Sequence, residues 1–382
     1  MKGYTPVVYE RSQSLTAAGL SFMLQPNGTR VLSLIPGLVE RIPGCAPERL
    51  IQISYLEGQE EVLSDSDVSP ATMKQMYGFA MCGVRRADFH NLLVETAKEH
   101  GIEFKWGHQA VGFDQSDDEV RVTFANGESD VASFVVGCDG LHSNTRIALF
   151  GHDKADFTGL VQIGGLSPTP ATLDKKMVNN YGDGRHMISY SVAGNQTSWA
   201  ITHREAEAKE DWRSQDAHIQ EEIRNSSLGH WSGGAGELVQ TGQKIVKYGL
   251  YDRPELKTWY KGRIVLLGDA AHPTSPHLGQ GANQAFEDVY HLTRLLVKYN
   301  PDGSHPSTDV LGQVFAEYES LRLPRTSELV KEARLRGEMR VVQGLDACKA
   351  RNEILRDAYT SDAMKRVHDA GTLMGSFTES EI

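Results

Sequence analysis

Cysteine is scarce in this chain. Cys45, Cys82, Cys138 and Cys348 are the only four in 382 residues, and none lies near enough to another in sequence for a zinc-type spacing. A dense disulfide framework is excluded, and the four read as reduced, mostly buried thiols. Basic residues are also in deficit, 39 Lys and Arg against 50 Asp and Glu, for a formal net charge of −11. That balance argues against attraction to nucleic-acid phosphates or anionic membranes. No stretch approaches the ~20 apolar residues of a membrane span, and the opening MKGYTPVVYERS lacks the apolar core of a secretory signal. A cytoplasmic enzyme is the expectation. Repeats and low-complexity tracts are missing too, which removes solenoids and propellers.

What is present is the composition of an ordinary globular protein, 40% hydrophobic and 23% charged, with length for two or three domains. Val7, Val8 and Tyr9 read as a strand ending in Glu10, and Pro26-Asn27-Gly28 as a turn. Phe89, Leu92, Leu93 and Ala97, bracketed by Asp88 and Gly101, predict a helix over 88–100. Runs at 119–124 and 133–136 around Asn126-Gly127 predict a hairpin. From 159 to 250, short β-branched and aromatic runs predict a mainly antiparallel sheet. Arg263 to Leu267 has the apolar continuity of a central parallel strand, and a long amphipathic helix follows it. Beyond Val310 the chain is charged and helical, with Pro324 expected to break the helix after Leu323, and Gly337 and Gly344 to weaken it.

Three segments carry chemistry. Glu10 closes a strand as a ribose-binding carboxylate would. Gly137-Cys138-Asp139-Gly140 runs from a strand into an Asp-Gly turn, where a glycine lets backbone approach a ligand, and Arg146 follows as a phosphate-type cation. Leu267-Gly268-Asp269-Ala270-Ala271-His272-Pro273, then Gly279-Gln280-Gly281-Ala282-Asn283, delivers a carboxylate to a sheet edge and opens a helix on small residues. Such a helix start suits an anion or a ring that becomes anionic on reduction.

Together the segments at 7–11, 85–89, 137–146 and 263–288 resemble the FAD-dependent aromatic-ring monooxygenases of the p-hydroxybenzoate and salicylate hydroxylase type, over nearly the whole chain. The resemblance implies an α/β fold: a Rossmann-like FAD-binding domain in two pieces, 1–155 and 256–300, an inserted mainly antiparallel substrate domain, 156–255, and a helical region, 301–382. It implies that Glu10 binds the adenosine ribose, with Gly19 and Ser21 lining the segment after it. Arg86 would contact the ribityl and pyrophosphate portion, and Asp139 and Gly140 match a motif associated with FAD and NAD(P)H. Gly268 and Asp269 would hold the ribityl chain, and Gly279, Gln280, Gly281, Ala282 and Asn283 would line the flavin ring. The implied reaction uses NAD(P)H and O2 to hydroxylate or epoxidise an aromatic or polycyclic small molecule through a flavin C4a-hydroperoxide. Arg185 and Tyr190 are the candidates for substrate activation, as a cation for a phenolate and a proton relay. His186, His272 and His277 are ambiguous, and no pair has a metal-ligand spacing.

One departure stands out. The family's Gly-x-Gly-x-x-Gly turn is expected about 20 residues before the ribose acid, and counting back from Glu10 places it before Met1. The expectation is that one strand, the phosphate turn and a helix, about 30 residues, precede this sequence. The alternative is a flavin-free family member that serves as a small-molecule binding protein, cyclase or isomerase.

Overall fold

Strands form where alternate side chains can be buried, and the largest sheet here has eight of them. A computed structural model describes residues 2–16, 19–206, 213–214, 217–226, 231–358, 372–375, 377 and 380. Eight strands hydrogen-bond in the order Arg213–Ser214, Lys244–Asp252, Asp156–Pro168, Gln196–Arg204, Arg185–Val192, Lys176–Tyr181, Arg49–Leu56 and Gln59–Asp67. All neighbours are antiparallel except Lys176–Tyr181 beside Arg49–Leu56, which run parallel. The boundary expected at 156 therefore divides this sheet, because two of its strands come from the first hundred residues. Local pattern could not show that pairing, since the strands lie far apart in the chain. Burial explains it: Ile53 shares a core with Val178, Met187, Trp199 and Ile201 on the outer face, under Leu238 and Val239 of the helix Ala235–Gln240. The inner face carries Leu166, Val192, Val246 and Tyr248, with Tyr190 packed beside them.

The rest of the molecule includes two short parallel pairings. Val7–Glu10 pairs with Glu103–Trp106, and Val135–Gly137 with Ile264–Leu266. Ile264, Val265 and Leu266 are fully buried, as a central parallel strand requires, and pack on Leu292, Leu295, Leu311 and Phe315. The Asn126-Gly127 hairpin forms, but its second strand is Ser129–Ala132, and the chain from Val135 leaves it for the parallel pairing. Pro26 opens the helix Pro26–Leu32 instead of a turn, because proline at a first helical position lacks only an N–H that would be unpaired anyway. The helix expected at 88–100 spans Arg86–Glu99, and Gly101 beyond it has φ +76°.

The long helix Gly281–Tyr299 packs on Thr308–Arg340, which passes through Pro324 without ending. Proline disfavours a helix interior by roughly 3 kcal/mol. Anchors on either side outweigh that here. Arg322 donates to Asp288 and Glu287 at 2.7 Å each, and Arg325 to Glu287 at 2.8 Å. Among the described residues no helix is long and apolar enough to cross a membrane.

Candidate functional site

Ligands in open parallel sheets collect outside the carboxyl ends of the strands, and three of the expected acids stand there. Glu10 ends its strand half-buried, its carboxylate accepting from the Ser12 N–H at 2.8 Å. Asp269 follows Ile264–Leu266 in a tight turn that Gly268 makes possible at φ +61°. Asp269 is solvent-accessible, yet surrounding protein pushes its carboxyl above the ordinary value while His272 and Arg86 pull it back. An accessible group so surrounded lies at the foot of a concave surface. Cys138, at the end of the neighbouring strand, is likewise accessible, with its thiol pushed up to about 12 by desolvation. Arg86 faces this groove from the start of its helix and lies against Gly19, where a Cβ would fall 2.7 Å from its Cδ.

Asp139 is placed differently. Its carboxylate caps the helix Asn144–Phe150, accepting from Ser143 Oγ and, at 2.9 Å, from both the N–H and hydroxyl of Thr145. Gly140 has φ +78° with open space where a Cβ would be. Arg146 turns inward, buried, and donates to Asp153 at 2.6 Å and to the Pro254 carbonyl, so the phosphate-type cation expected after this turn does not reach the groove.

The loop from Gly268 to Gly281 is held from two sides. On one, buried Asp288 accepts from the Gly268 N–H at 3.0 Å, contacts His272 Nε2 at 2.6 Å and accepts from Arg322. Burial alone would raise the Asp288 carboxyl; His272 and Arg322 outweigh it and hold it well below the carboxylate range. On the other side, Asn283 accepts from the Gln25 N–H at 2.9 Å and donates to the Met23 and Gly279 carbonyls. Gln280 accepts from Asn27 at 2.9 Å. The side chains of Gln280 and Asn283 are thus buried clamps, while Gly279, Gly281 and Ala282 stay half-exposed. A cleft of about 220 Å³ behind this loop, lined by Trp259, His272 and Pro273, mixes acids with cations and favours neither sign of ligand.

Strand parity separates the two catalytic candidates. Arg185 and Tyr190 are five residues apart on one unbroken strand, so they project to opposite faces. Tyr190 is on the inner face, its hydroxyl 2.8 Å from Ser21 Oγ, which donates to Ser198 at 2.5 Å. Burial raises the Tyr190 phenol, and those two hydroxyls draw it partly back. Arg185 is on the outer face and does not share a site with it.

His186, four residues before Tyr190, shares its face. It is fully buried, with Nε2 2.9 Å from Asn179 Oδ1 and Nδ1 unpaired. His277, also buried, has Nδ1 3.3 Å from Arg340 Nη1 and Nε2 unpaired. Burial, with Arg340 and then His277 adding to it, holds the His186 imidazole well below the usual value. Gln52 adds two unpaired buried atoms on the same face. The even spacing of His186 and Tyr190 was readable in the sequence; Gln52 carried no local signal, and Arg340, which reads with Arg334 and Arg336 as a solvated basic face, is buried.

A family model described as "FAD binding domain" matches residues 37–333. The chain is 32% identical over 361 residues to the 3-amino-4-hydroxybenzoate 2-monooxygenase of Streptomyces cremeus, covering 91% of this chain and 85% of that one. It is 31% identical to the 6-hydroxynicotinate 3-monooxygenase of Bordetella bronchiseptica, covering 77% and 76%. In fold it is similar to Klebsiella pneumoniae HpxO complexed with FAD and uric acid, with TM-score 0.80 at 22% identity over 96% of this chain and 90% of that one.

Proposed function

The chain belongs to the FAD binding domain family of flavin-dependent aromatic monooxygenases, and from that membership we propose that it uses NAD(P)H and O2 to hydroxylate a small aromatic acid bound on the inner face of the large sheet. The observation that carries this is one buried sheet face that bears both the Tyr190 hydroxyl and the unpaired His186 Nδ1, with His277 of the Gly268–Gly281 loop near enough to act on His186.

The residues fit FAD at two of its parts. Glu10 presents a carboxylate at a strand end for the adenosine ribose, and Asp269 presents one in an accessible concavity for the ribityl chain, with Arg86 facing it. Gly19 and Ser21 line the approach, and the half-exposed Gly279, Gly281 and Ala282 offer a flat, small-residue surface for the ring. No Gly-x-Gly-x-x-Gly turn occurs among the described residues. When bound, FAD supplies hydride acceptance and oxygen activation.

The chain's own groups do the rest. With Nε2 donating to Asn179, His186 Nδ1 is an acceptor; with Nδ1 accepting from Arg340, His277 Nε2 is a donor. The pair can therefore hold a substrate hydroxyl at one nitrogen and an anionic oxygen at the other. Tyr190 stays protonated at neutral pH and donates to Ser21, which donates to Ser198, so its oxygen accepts from a substrate hydroxyl and the proton passes along the two serines. Apolar neighbours exclude water.

The test is a visible spectrum of the purified chain with added FAD, then with NADPH or NADH under air and 3-amino-4-hydroxybenzoate or 6-hydroxynicotinate. Bound flavin should bleach, and the aromatic product should gain one oxygen by mass spectrometry. Folded protein that takes up no flavin at high FAD overturns the proposal and favours the flavin-free alternative.

A further inference from the structure

Gln52 is wholly buried, and neither end of its amide has a hydrogen-bond partner. A buried primary amide left bare at both ends weakens folding in a way an apolar side chain of the same size would not. The strand Arg49–Leu56 explains its direction. Ile53 packs into the outer core with Ile51 and Tyr55 beside it, so alternation turns Leu50, Gln52 and Ser54 inward. The neighbouring strand bulges at Leu63, opposite the step from Gln52 to Ile53, while Arg49–Leu56 itself stays regular, so its alternation holds through Gln52.

Its surroundings are those of the candidate substrate face. Across the parallel pairing Gln52 meets Asn179, whose oxygen is taken by His186, and beyond Asn179 lies Ile188. The row Gln52, Asn179, Ile188 runs between a row ending in Tyr190 and a row ending in His186. Two strand spacings, roughly 10 Å, separate Gln52 from the strand of Tyr190 and His186. A substituted benzene ring with its hydrogen bonds spans about that distance.

We propose that Gln52 is a specificity-determining residue, whose amide pairs with a substrate ring edge offering one hydrogen-bond donor beside one acceptor, as vicinal amino and hydroxyl groups or a lactam do. The inference rests on the assignment of the inner face as the substrate site. A carboxylate edge would satisfy only the amide nitrogen, and a plain hydrocarbon edge neither atom. Only the donor–acceptor edge pairs both.

The test compares wild type with Gln52→Leu, and with Gln52→Met as a second apolar replacement, by titration calorimetry and thermal melting with FAD added. The probes are 3-amino-4-hydroxybenzoate, which has the vicinal pair, 6-hydroxynicotinate, which has a lactam tautomer, and 4-hydroxybenzoate, which lacks the neighbouring donor. Wild type should bind one of the first two at least about tenfold more tightly than the third. Which one it prefers distinguishes the amino-hydroxyl edge from the lactam. The apolar variants should lose that preference, keep the 4-hydroxybenzoate Kd within about twofold, and melt no lower than wild type. A preference that persists in the variants, or no preference in wild type, overturns the proposal. Calorimetry needs no turnover: discrimination that collapses in the variants of a protein unable to take up FAD would sustain Gln52 and remove the flavin assignment.

Discussion

Arg340 donates to His277, and burial together with that guanidinium holds the imidazole down at about 3. An unfolded histidine titrates near 6.5. Between those values the unfolded chain binds a proton that the folded chain refuses, so the stabilisation is complete above about pH 6.5 and is lost as pH falls toward 3. Buried His186, also depressed, and His291, lowered to about 4, act in the same direction. Each such histidine steepens the loss by up to about 1.4 kcal/mol per pH unit. Melting temperatures taken at pH 7, 6 and 5 should therefore fall, and His277→Gln should flatten the slope; an unchanged slope would assign the acid sensitivity to other groups. The sequence displayed these histidines without their environment, because what neutralises His277 is burial in the folded chain and, beside it, an arginine 63 residues away. Tyr190 was legible as a candidate, and the odd spacing that sends Arg185 to the other face was available as well.

Thr308–Arg340 contains glycines whose surroundings differ, which makes it a test of what holds a helix in place. A Cβ on Gly337 would lie 2.5 Å from His277 Cδ2, whereas one on Gly312 would meet nothing within 4 Å. Helix propensity favours alanine at both by up to about 1 kcal/mol. Gly312→Ala should therefore raise the melting temperature. Gly337→Ala should lower it, by about 1–3 kcal/mol of overpacking against the imidazole. Equal gains from both would show that His277 yields freely. Gly337 read as a helix-weakening residue in the sequence because the imidazole that needs its space comes from a separate loop. Pro324 misleads for the same reason: local geometry says stop, and buried ion pairs from Arg322 and Arg325 to the preceding helix say continue. Elements set by nearby residues, such as Arg86–Glu99 and Ile264–Leu266, were legible. The parallel join of Lys176–Tyr181 to Arg49–Leu56 was not.

The strand Val7–Glu10 makes only one strand pairing among the described residues, with Glu103–Trp106, and Val8 on it is 38% exposed. A two-stranded parallel pair is marginal alone, so its hold on the molecule comes from rings. Tyr9 stacks on Phe124 at 4.7 Å, and Tyr4 meets Phe134 edge-on at 5.7 Å. Glu10 is therefore carried by one loosely tied element and Asp269 by the fully buried strand of another sheet, so the two ends of a dinucleotide would be gripped by independent parts. A ligand that binds only the folded state stabilises it by about 2.7 kcal/mol at a hundredfold excess over its Kd. If each acid serves its own end, ADP and riboflavin should each raise the melting temperature separately. Glu10→Ala should abolish the ADP shift and spare that of riboflavin, and Asp269→Ala should do the reverse. FAD should lose most of its shift in either variant, because both ends must be engaged for tight binding. An ADP shift that survives Glu10→Ala would move the adenosine end away from this strand, and with it the cofactor path from the carboxyl edge of one sheet to that of the other.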